Sequence, residues 1–380
     1  MRREDRTRLA QPYGPRLGSS ERDLASALGM ATPSLDRLTD EILADFDTTD
    51  TTYGIGWWAP HPGTSRRILI SDQLYACATS IAANLVEAEL HRLELLDYSD
   101  QVSDLLANSV QAVGDQLVVK MPPRLSASED ALDKLQTLHI VGSARALSAS
   151  LDCLGGTVIG VLALRSNLLK SDLDSARKVL RALEQDGSDA RSRQIAAGSA
   201  LETEIHDAGP EGWLPWVLGL RNMLVHRGRR ISVAQLVPRE PVLLDFRGRP
   251  IPRMNVVQQL PRDAGRSEIE VFLDPEAPVL TEDAIKTITG VLGSTHRLVE
   301  RTAERLLEVW QWRRAHPLDL AQPREQWPTG VTPQEVAFRG YAEGTFPYDP
   351  SLITGNPVLH RRMIAACLPD PVRNRWAGFD

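Results

Sequence analysis

Apolar residues recur along most of this chain at the three- and four-residue spacing of amphipathic α-helices. Capping residues and Gly/Pro breaks then set the predicted ends, with Ser34, Ser71 or Asp72, Ser171 and Thr281 as N-caps. Together they predict helices over about 34–46, 71–96, 99–119, 129–170 (as one or two helices), 171–185, 188–205, 215–226 and 281–314.

Two glycines one turn apart, Gly156 and Gly160, lie on an apolar surface of the 129–170 segment. Glycine has no Cβ, so this spacing predicts a second helix packed unusually close. The acids Asp172 and Asp174 fit helix-capping positions better than metal-ligand positions. We therefore expect the middle of the chain to form a tightly packed helical bundle.

After the helix at 215–226 the apolar period changes from helical to partly alternating. Short branched segments separated by Pro, Arg and Gly predict strands of a small antiparallel sheet, at 231–237, 241–246, 255–260 and 268–273. The predicted fold class is therefore mainly α: a helical bundle with a small antiparallel β insertion after the 215–226 helix and a long closing helix.

Breaks in these patterns predict four regions. A polar, Arg-rich stretch predicts a flexible N-terminal arm, and the last region is rich in Pro and Gly. Between 51 and 64 a Gly/Pro-rich loop carries Trp57 and Trp58, which could form a binding platform but more often anchor such a loop on the core. The regions are the arm at 1–33, an N-terminal helical region at 34–128, a helical core at 129–316 with the insertion at about 229–275, and an extension at 317–380.

Composition narrows the class of protein. The 380 residues are 42% hydrophobic and 24% charged, as in ordinary globular proteins, and no apolar run approaches the roughly 20 residues that span a bilayer. With no secretory leader and three scattered cysteines, we expect a soluble cytoplasmic protein that does not enter the membrane. The net charge of −7 disfavours indiscriminate nucleic-acid binding, yet residues 211–262 hold nine arginines, three acids and no lysine.

The stretch RNMLVHRGRR at 221–230 combines residues that could cut RNA without a metal. That reaction needs a proton-transfer group and positive charge on the phosphate, which His226 and Arg221 supply. Asn222 lies four residues before His226, on the same helical face. The arginines that follow, Arg227, Arg229 and Arg230, would bind RNA phosphates. No cofactor or metal is expected, because no nucleotide-, zinc- or dinucleotide-binding motif occurs.

Arg221-Asn222-x3-His226 resembles the R-N-x3-H form of the Rx4–6H motif of HEPN domains, and residues 129–226 resemble the helical setting of that motif. The resemblance implies a metal-independent endoribonuclease with Arg221 and His226 catalytic and Asn222 supporting them. It also implies RNA as substrate and a role in toxin–antitoxin or antiphage systems, with an antitoxin or regulatory protein as partner. Because one chain offers one such histidine, a homodimer would complete the site.

Three alternatives compete with this interpretation. His226-Arg227-Gly228 also fits an ordinary helix C-terminus, where basic residues and glycine meet unpaired carbonyls. A non-catalytic HEPN-like RNA-binding or regulatory protein is the second, and a helical structural protein is the third. Among the other histidines, His91 is predicted in a surface salt-bridge cluster with Glu87 and Glu94, His139 in a core or semi-buried position and His206 in a solvated loop.

Overall fold

The structure is a computed structural model of the chain, and it describes the backbone of residues 25–45, 64–113, 116–119, 127–166, 168, 171–224, 233–244, 250–264, 279–316 and 319. Side chains are described at 25–45, 73–99, 101, 131, 134–166, 168, 171–224, 259–264, 279–316 and 319. The loop with Trp57 and Trp58, most of the N-terminal arm and nearly all of the C-terminal extension lie outside these residues.

The described residues are mainly helical, as predicted. The helices are α1 (Pro33–Asp45), α2 (Thr64–Ser109), α3 (Ala127–Val161), α4 (Leu173–Arg181), α5 (Asp189–Ala208), α6 (Trp213–Asn222) and α7 (Ala284–Ala315). The strands are β1 (Val110–Val113), β2 (Gln116–Val119), β3 (Val233–Leu244) and β4 (Pro250–Gln259). Within the described ranges, no helix has both the length and the apolar content needed to cross a bilayer.

The predicted helix at 99–119 is wrong in its second half. Residues 110–119 form an antiparallel hairpin in which Val110 of β1 pairs with Val119 of β2. The physical reason lies in the four valines of these strands and in the Gly-Asp pair that separates them in the sequence, which favour strands over helix. The preceding helix is longer than predicted, because α2 starts at Thr64 and no Gly or Pro interrupts it near 97. Ser71 and Asp72 therefore lie inside α2 and are not its cap.

Between α6 and α7, β3 and β4 pair antiparallel from Val233 opposite Gln259 to Leu244 opposite Pro250. The register shifts between Arg239 and Leu243, which is the geometry of a β-bulge or similar irregularity. The predicted four-segment insertion stays a prediction, since 268–273 lies outside the described residues.

The core is organised around the contact between α2 and α3. The two helices are antiparallel, since residues 74, 77 and 91 of α2 face residues 160, 156 and 142 of α3. A Cβ on Gly160 would lie 2.6 Å from Leu74 Cδ1, and one on Gly156 would lie 2.8 Å from Cys77 Sγ. The close approach predicted from this glycine pair is confirmed. Around it, one buried cluster takes residues from each of α1–α7: Leu35, Leu74, Leu151, Leu173, Leu201, Val217 and Leu298.

A fully buried guanidinium joins α7 to the end of α3. Arg313 Nη1 donates hydrogen bonds to the carbonyls of Gly160 and Val161, each at 3.0 Å, and burial lowers the pKa of the Arg313 side chain. These carbonyls belong to the last turn of α3, where intrahelical donors run out. The chain then reverses through Ala163, whose φ is +49°. Helix α3 therefore ends at Val161, well before the predicted limit at 170.

The first and last helices are joined by buried polar contacts. Trp310 Nε1 donates to Asp45 Oδ2 at 2.8 Å, and Arg314 Nη2 donates to the same oxygen at 2.7 Å. Burial raises the pKa of Asp45, and the hydrogen bond from Arg314 is the largest opposing effect. Glu300 of α7 accepts hydrogen bonds from the backbone N–H groups of Ser34 and Leu35 at the start of α1. Ser34 is therefore the second residue of α1 and not its N-cap.

Two other predicted helix starts can be compared with the structure. Asp172, not Ser171, caps α4 by accepting from Ser175 N at 2.8 Å, and α4 ends at Arg181 instead of 185. Asp283, not Thr281, caps α7 in the same way through Ile285 N. In both cases an aspartate next to the helix is better placed than the hydroxyl residue predicted from sequence. The interpretation of Asp172 as a capping acid is confirmed.

Two glycines give a matched test of the packing. A Cβ on Gly155 would collide with the backbone of Asp172 and Leu173 at the start of α4, whereas a Cβ on Gly290 of α7 would meet nothing within 4 Å. We expect Gly155→Ala to lower the free energy of unfolding by at least about 2 kcal/mol, because backbone atoms must move. Gly290→Ala should raise it by about 0.5–1 kcal/mol through helix propensity. Urea unfolding measures both, and equal effects would contradict the close contact of α3 with α4.

The buried guanidinium allows a second test. Arg313→Ala removes the side-chain donor of the Gly160 and Val161 carbonyls, of which the first keeps a bond from Ala163 N at 3.3 Å, and it opens a cavity. We therefore expect a loss of about 3 kcal/mol in unfolding free energy. Arg301→Ala, on the same helix but half exposed and paired with Glu204, should cost less than about 1 kcal/mol. Chemical denaturation of both variants would refute the capping role if their losses were similar.

Candidate functional site

The motif residues are carried by α6, a short helix whose N-terminal half is held by two tryptophans. Its N-cap is Gly212, with φ at +82°, so the helix begins two residues before Pro215. Proline is tolerated there because N–H groups of a first helical turn have no intrahelical partner. Trp213 Nε1 donates to the carbonyl of Ile205 at 2.9 Å, and Trp216 Nε1 donates to that of Pro261 at 3.0 Å. These two bonds hold the first half of α6 in place and so set where its last turn lies.

Arg221 and Asn222 are the last two residues of α6. Met223 follows as a buried residue, and residues 223–224 form a π-helical turn. The other motif residue, His226, and the predicted phosphate ligands Arg227, Arg229 and Arg230 lie outside the described residues. The catalytic and helix-cap interpretations of His226 both stay predictions.

Arg221 contacts a carboxylate that the sequence motif does not contain. Its Nη2 lies 3.3 Å from Asp152 Oδ2 on α3, and its Nη1 donates to Asn222 Oδ1 at 3.2 Å. The two charged side chains are 38% and 28% exposed. The structure thus brings Arg221 and Asn222 together and adds Asp152 as a third polar group.

The pKa of the Asp152 carboxyl is raised well above the ordinary value of an aspartate. Burial is the largest cause that raises its pKa, to about 6, and Asp172 and Asp174 raise it further. The positive charge of Arg221 acts in the opposite direction but does not cancel the effect of burial. A carboxyl with this pKa changes charge near neutral pH, as acid–base groups in active sites do.

Sequence reasoning missed Asp152, although a signal was present. It is the only charged residue between 146 and 164, in the apolar stretch ALSASLDCLGGTVIGVLAL. A lone acid in an otherwise apolar helix usually has a specific partner, because an unpaired buried charge is costly. The partner itself could not be identified from sequence, since Arg221 follows 69 positions later.

The neighbouring thiols are not reactive nucleophiles. Cys153 follows Asp152, and its pKa is raised to about 12, chiefly by burial, with Cys77 and Asp152 adding to the effect. Burial also raises the pKa of Cys77 on α2. Both cysteines are free thiols. A thiol that stays protonated at neutral pH is a poor nucleophile and a poor metal ligand.

The other histidines lie away from the motif in sequence, and two of them contact each other. His91 Nδ1 and His139 Nδ1 are 2.9 Å apart, and Tyr98 stacks on the His139 ring. Burial first and His91 second lower the pKa of His139, which is half-buried as predicted. His91 lies 3.8 Å from Glu87, as its predicted cluster requires, but its shorter contact is with His139.

The prediction that His206 lies in a loop is wrong, because it is an exposed residue in the last turn of α5. That helix extends to Ala208, three residues beyond the predicted limit, and ends only at Gly209 and Pro210. Within the part of the chain that the structure describes, no group of three or more His, Cys, Asp or Glu residues could hold a metal ion.

The raised pKa of Asp152 predicts a pH-dependent stability. Because the unfolded chain releases this proton near the ordinary pKa of 3.8, the folded state loses stability as the pH rises from about 4 to about 6. Asp152→Asn removes this loss, so we expect a melting temperature about 2 °C above wild type at pH 7.5 and no gain at pH 4, after allowance for solvent screening. Asp174→Asn, an equal charge change at an exposed carboxylate, should give a clearly smaller gain, because Asp174 contributes least to the raised pKa of Asp152. Identical melting curves for wild type and Asp152→Asn at pH 7.5 would contradict the assignment.

Comparison with known proteins identifies no relative of this chain. No family model, no curated protein and no solved structure matches the chain. The function of the protein is therefore inferred from the residues at the end of α6 and from their contacts.

Proposed function

We propose that this protein is a metal-independent endoribonuclease of HEPN type, with its site at the end of α6. The observation that carries the proposal is the guanidinium of Arg221, which is partly exposed and, among the described residues, contacts Asp152 and Asn222 through single bonds of 3.3 and 3.2 Å. A guanidinium in this state can exchange these contacts for a bidentate pair of bonds to a phosphate.

In the proposed reaction, Arg221 binds the scissile phosphate and stabilises the charge of the pentacovalent intermediate. A base takes the proton of the 2′-hydroxyl, the O2′–P bond forms, and the P–O5′ bond breaks. An acid returns a proton to the departing 5′-oxygen, which leaves a 2′,3′-cyclic phosphate and a 5′-hydroxyl. His226 serves in one proton-transfer role, and its copy in a second chain serves in the other, so the proposed enzyme is a homodimer.

The proposed setting follows the same family. Residues 129–316 would form the HEPN-type core, with β3 and β4 as part of an insertion, and Arg227, Arg229 and Arg230 would bind RNA beside the site. A cytoplasmic nuclease of this kind would act in toxin–antitoxin or antiphage defence, restrained by an antitoxin or regulatory protein. What supports these finer points is the motif and the arginine-rich composition of residues 211–262.

One observation favours a second candidate, a non-catalytic HEPN-like RNA-binding or regulatory protein. Arg221 is already paired with Asp152, and two more carboxylates, Asp172 and Asp174, are near enough to raise the pKa of Asp152. Negative charge at this place opposes the binding of a phosphodiester. A protein that uses this surface only for contacts with another protein would tolerate such a pairing.

An RNA cleavage assay with a chelator present separates the two functions. We expect wild type to leave 2′,3′-cyclic phosphate ends, and we expect His226→Ala and Arg221→Ala each to reduce the rate by at least about 100-fold. Arg305→Ala is the matched control, since it removes an exposed arginine from α7, and it should cleave like wild type.

Light scattering on the same samples gives the oligomeric state, for which we expect a dimer. Intact tRNA, rRNA and mRNA after incubation with a well-folded dimer would reject the nuclease and favour the regulatory protein. A stable monomer that still cleaves would reject the composite site alone.

A further inference from the structure

The contact between Arg221 and Asp152 leaves the guanidinium only weakly held. The Nη2–Oδ2 distance of 3.3 Å exceeds the 2.7–2.9 Å of strong charge-assisted hydrogen bonds. The contact is made through one nitrogen and one oxygen, and both side chains are partly open to water. Ion pairs of this kind contribute little to stability and exchange readily. A bidentate phosphate is therefore a stronger partner for Arg221 than Asp152 is.

Charges around Asp152 add to this effect. Arg221 faces it from α6, and Asp172 and Asp174 face it from the start of α4. Its neighbour on α3, Cys153, and the facing thiol of Cys77 on α2 are uncharged near neutral pH, since both pKa values are raised. Asp172 already accepts from Ser175 N as the cap of α4, and Asp174 lies 3.7 Å from Arg177 Nη1. Three carboxylates thus influence a site to which Arg221 brings the positive charge.

We propose that the Asp152 carboxylate is a built-in competitor of the RNA phosphate for Arg221, holding the guanidinium in the free protein and releasing it when a phosphodiester binds. This inference rests on the proposed function, because it assigns the phosphate of an RNA as the second partner of Arg221. Asp152 is then a positioning residue, which acts through Arg221 and does not transfer a proton to the RNA.

The competition gives the site a pH dependence with a definite sign. Asp152, with a pKa of about 6, is mostly ionised at pH 7.5 and mostly protonated at pH 5.5. Its neutral form neither pairs with Arg221 nor repels a phosphate. The affinity for RNA therefore rises as the pH falls through 6, and part of that rise belongs to Asp152 alone. Histidines that gain charge over the same range also strengthen RNA binding, so the variants below must separate the two contributions.

The test is the affinity for a 2′-O-methylated RNA oligonucleotide, which cannot be cleaved, measured by fluorescence anisotropy at pH 5.5 and 7.5 and constant ionic strength. Asp152→Asn removes the competing charge with little change in shape, and Asp174→Asn is the matched control. Arg221→Gln removes the guanidinium. Asp152→Ser serves as a second neutral variant should the asparagine form fail to fold, and melting temperatures verify the fold of each protein.

We expect Asp152→Asn to bind about three- to tenfold more tightly than wild type at pH 7.5 and to lose most of that advantage at pH 5.5. Asp174→Asn should keep most of the pH dependence of wild type, shifted slightly to lower pH, because Asp174 is the smallest of the effects that raise the pKa of Asp152. In the Arg221→Gln background, Asp152→Asn should add clearly less than it adds to wild type, because the competition needs the guanidinium.

Two results would overturn the inference, and they differ in what else they reject. If Arg221→Gln weakens binding but Asp152→Asn binds no more tightly than wild type, the competition is wrong and the proposed RNA site stands. If wild type binds the oligonucleotide at neither pH, the proposed function fails together with the inference. Tighter binding by Asp174→Asn equal to that of Asp152→Asn would show a general charge effect and would also overturn the specific competition.

Discussion

The close contact of α2 with α3 is the constraint on which the rest of the structure depends. It requires glycine on α3 at points where a side chain of α2 comes closest, as at Gly156 against Cys77 and Gly160 against Leu74. Since interiors are packed to near-crystalline density, this contact leaves no room to shift one helix against the other. It holds the end of α3 where Arg313 can reach its last carbonyls. The same helix brings the backbone of Gly155 against the start of α4, so that α3 positions elements on both of its sides.

Helix α3 also carries Asp152, the acidic residue of the candidate site. Asp152 lies on α3 one turn before Gly156, where α6 and the start of α4 approach it, and its carboxyl is partly removed from water. Partial burial, more than any neighbouring charge, is what raises its pKa. Arg221 reaches the carboxyl from α6, whose own direction is set by the hydrogen bonds of Trp213 and Trp216. Helix α3 thus contributes its glycines to the core and Asp152 to the candidate site.

Much of the helical architecture could be predicted from sequence, because periodicity and glycine spacing are local signals. Gly156 and Gly160 predicted the close approach of α2 to α3, and the structure contains the longest predicted helices. The hairpin at 110–119 was missed because α2 continues without a break into residues whose strand preference shows only over a few positions. Capping was predicted one or two residues away from Asp172 and Asp283, where two candidate caps stand close together. Arg313 and the pairing of Asp152 with Arg221 could not be predicted, since each depends on helices that meet only in the folded chain. The structure describes two of the three motif residues. Arg221 and Asn222 are the last residues of α6, and His226 lies outside the described residues.

The buried bonds between α1 and α7 have a consequence for how the protein folds. Trp310 and Asp45 are 265 positions apart in the chain, and Arg313 is 153 positions from Gly160. Each pair closes a long loop when it forms, which costs chain entropy before any contact repays it. The helices between them can assemble from nearer neighbours, as α2 and α3 do. Folding should therefore pass through a species in which the central helices are packed while α1 and α7 are still unpaired, and the docking of α7 should be the slow step that completes the core.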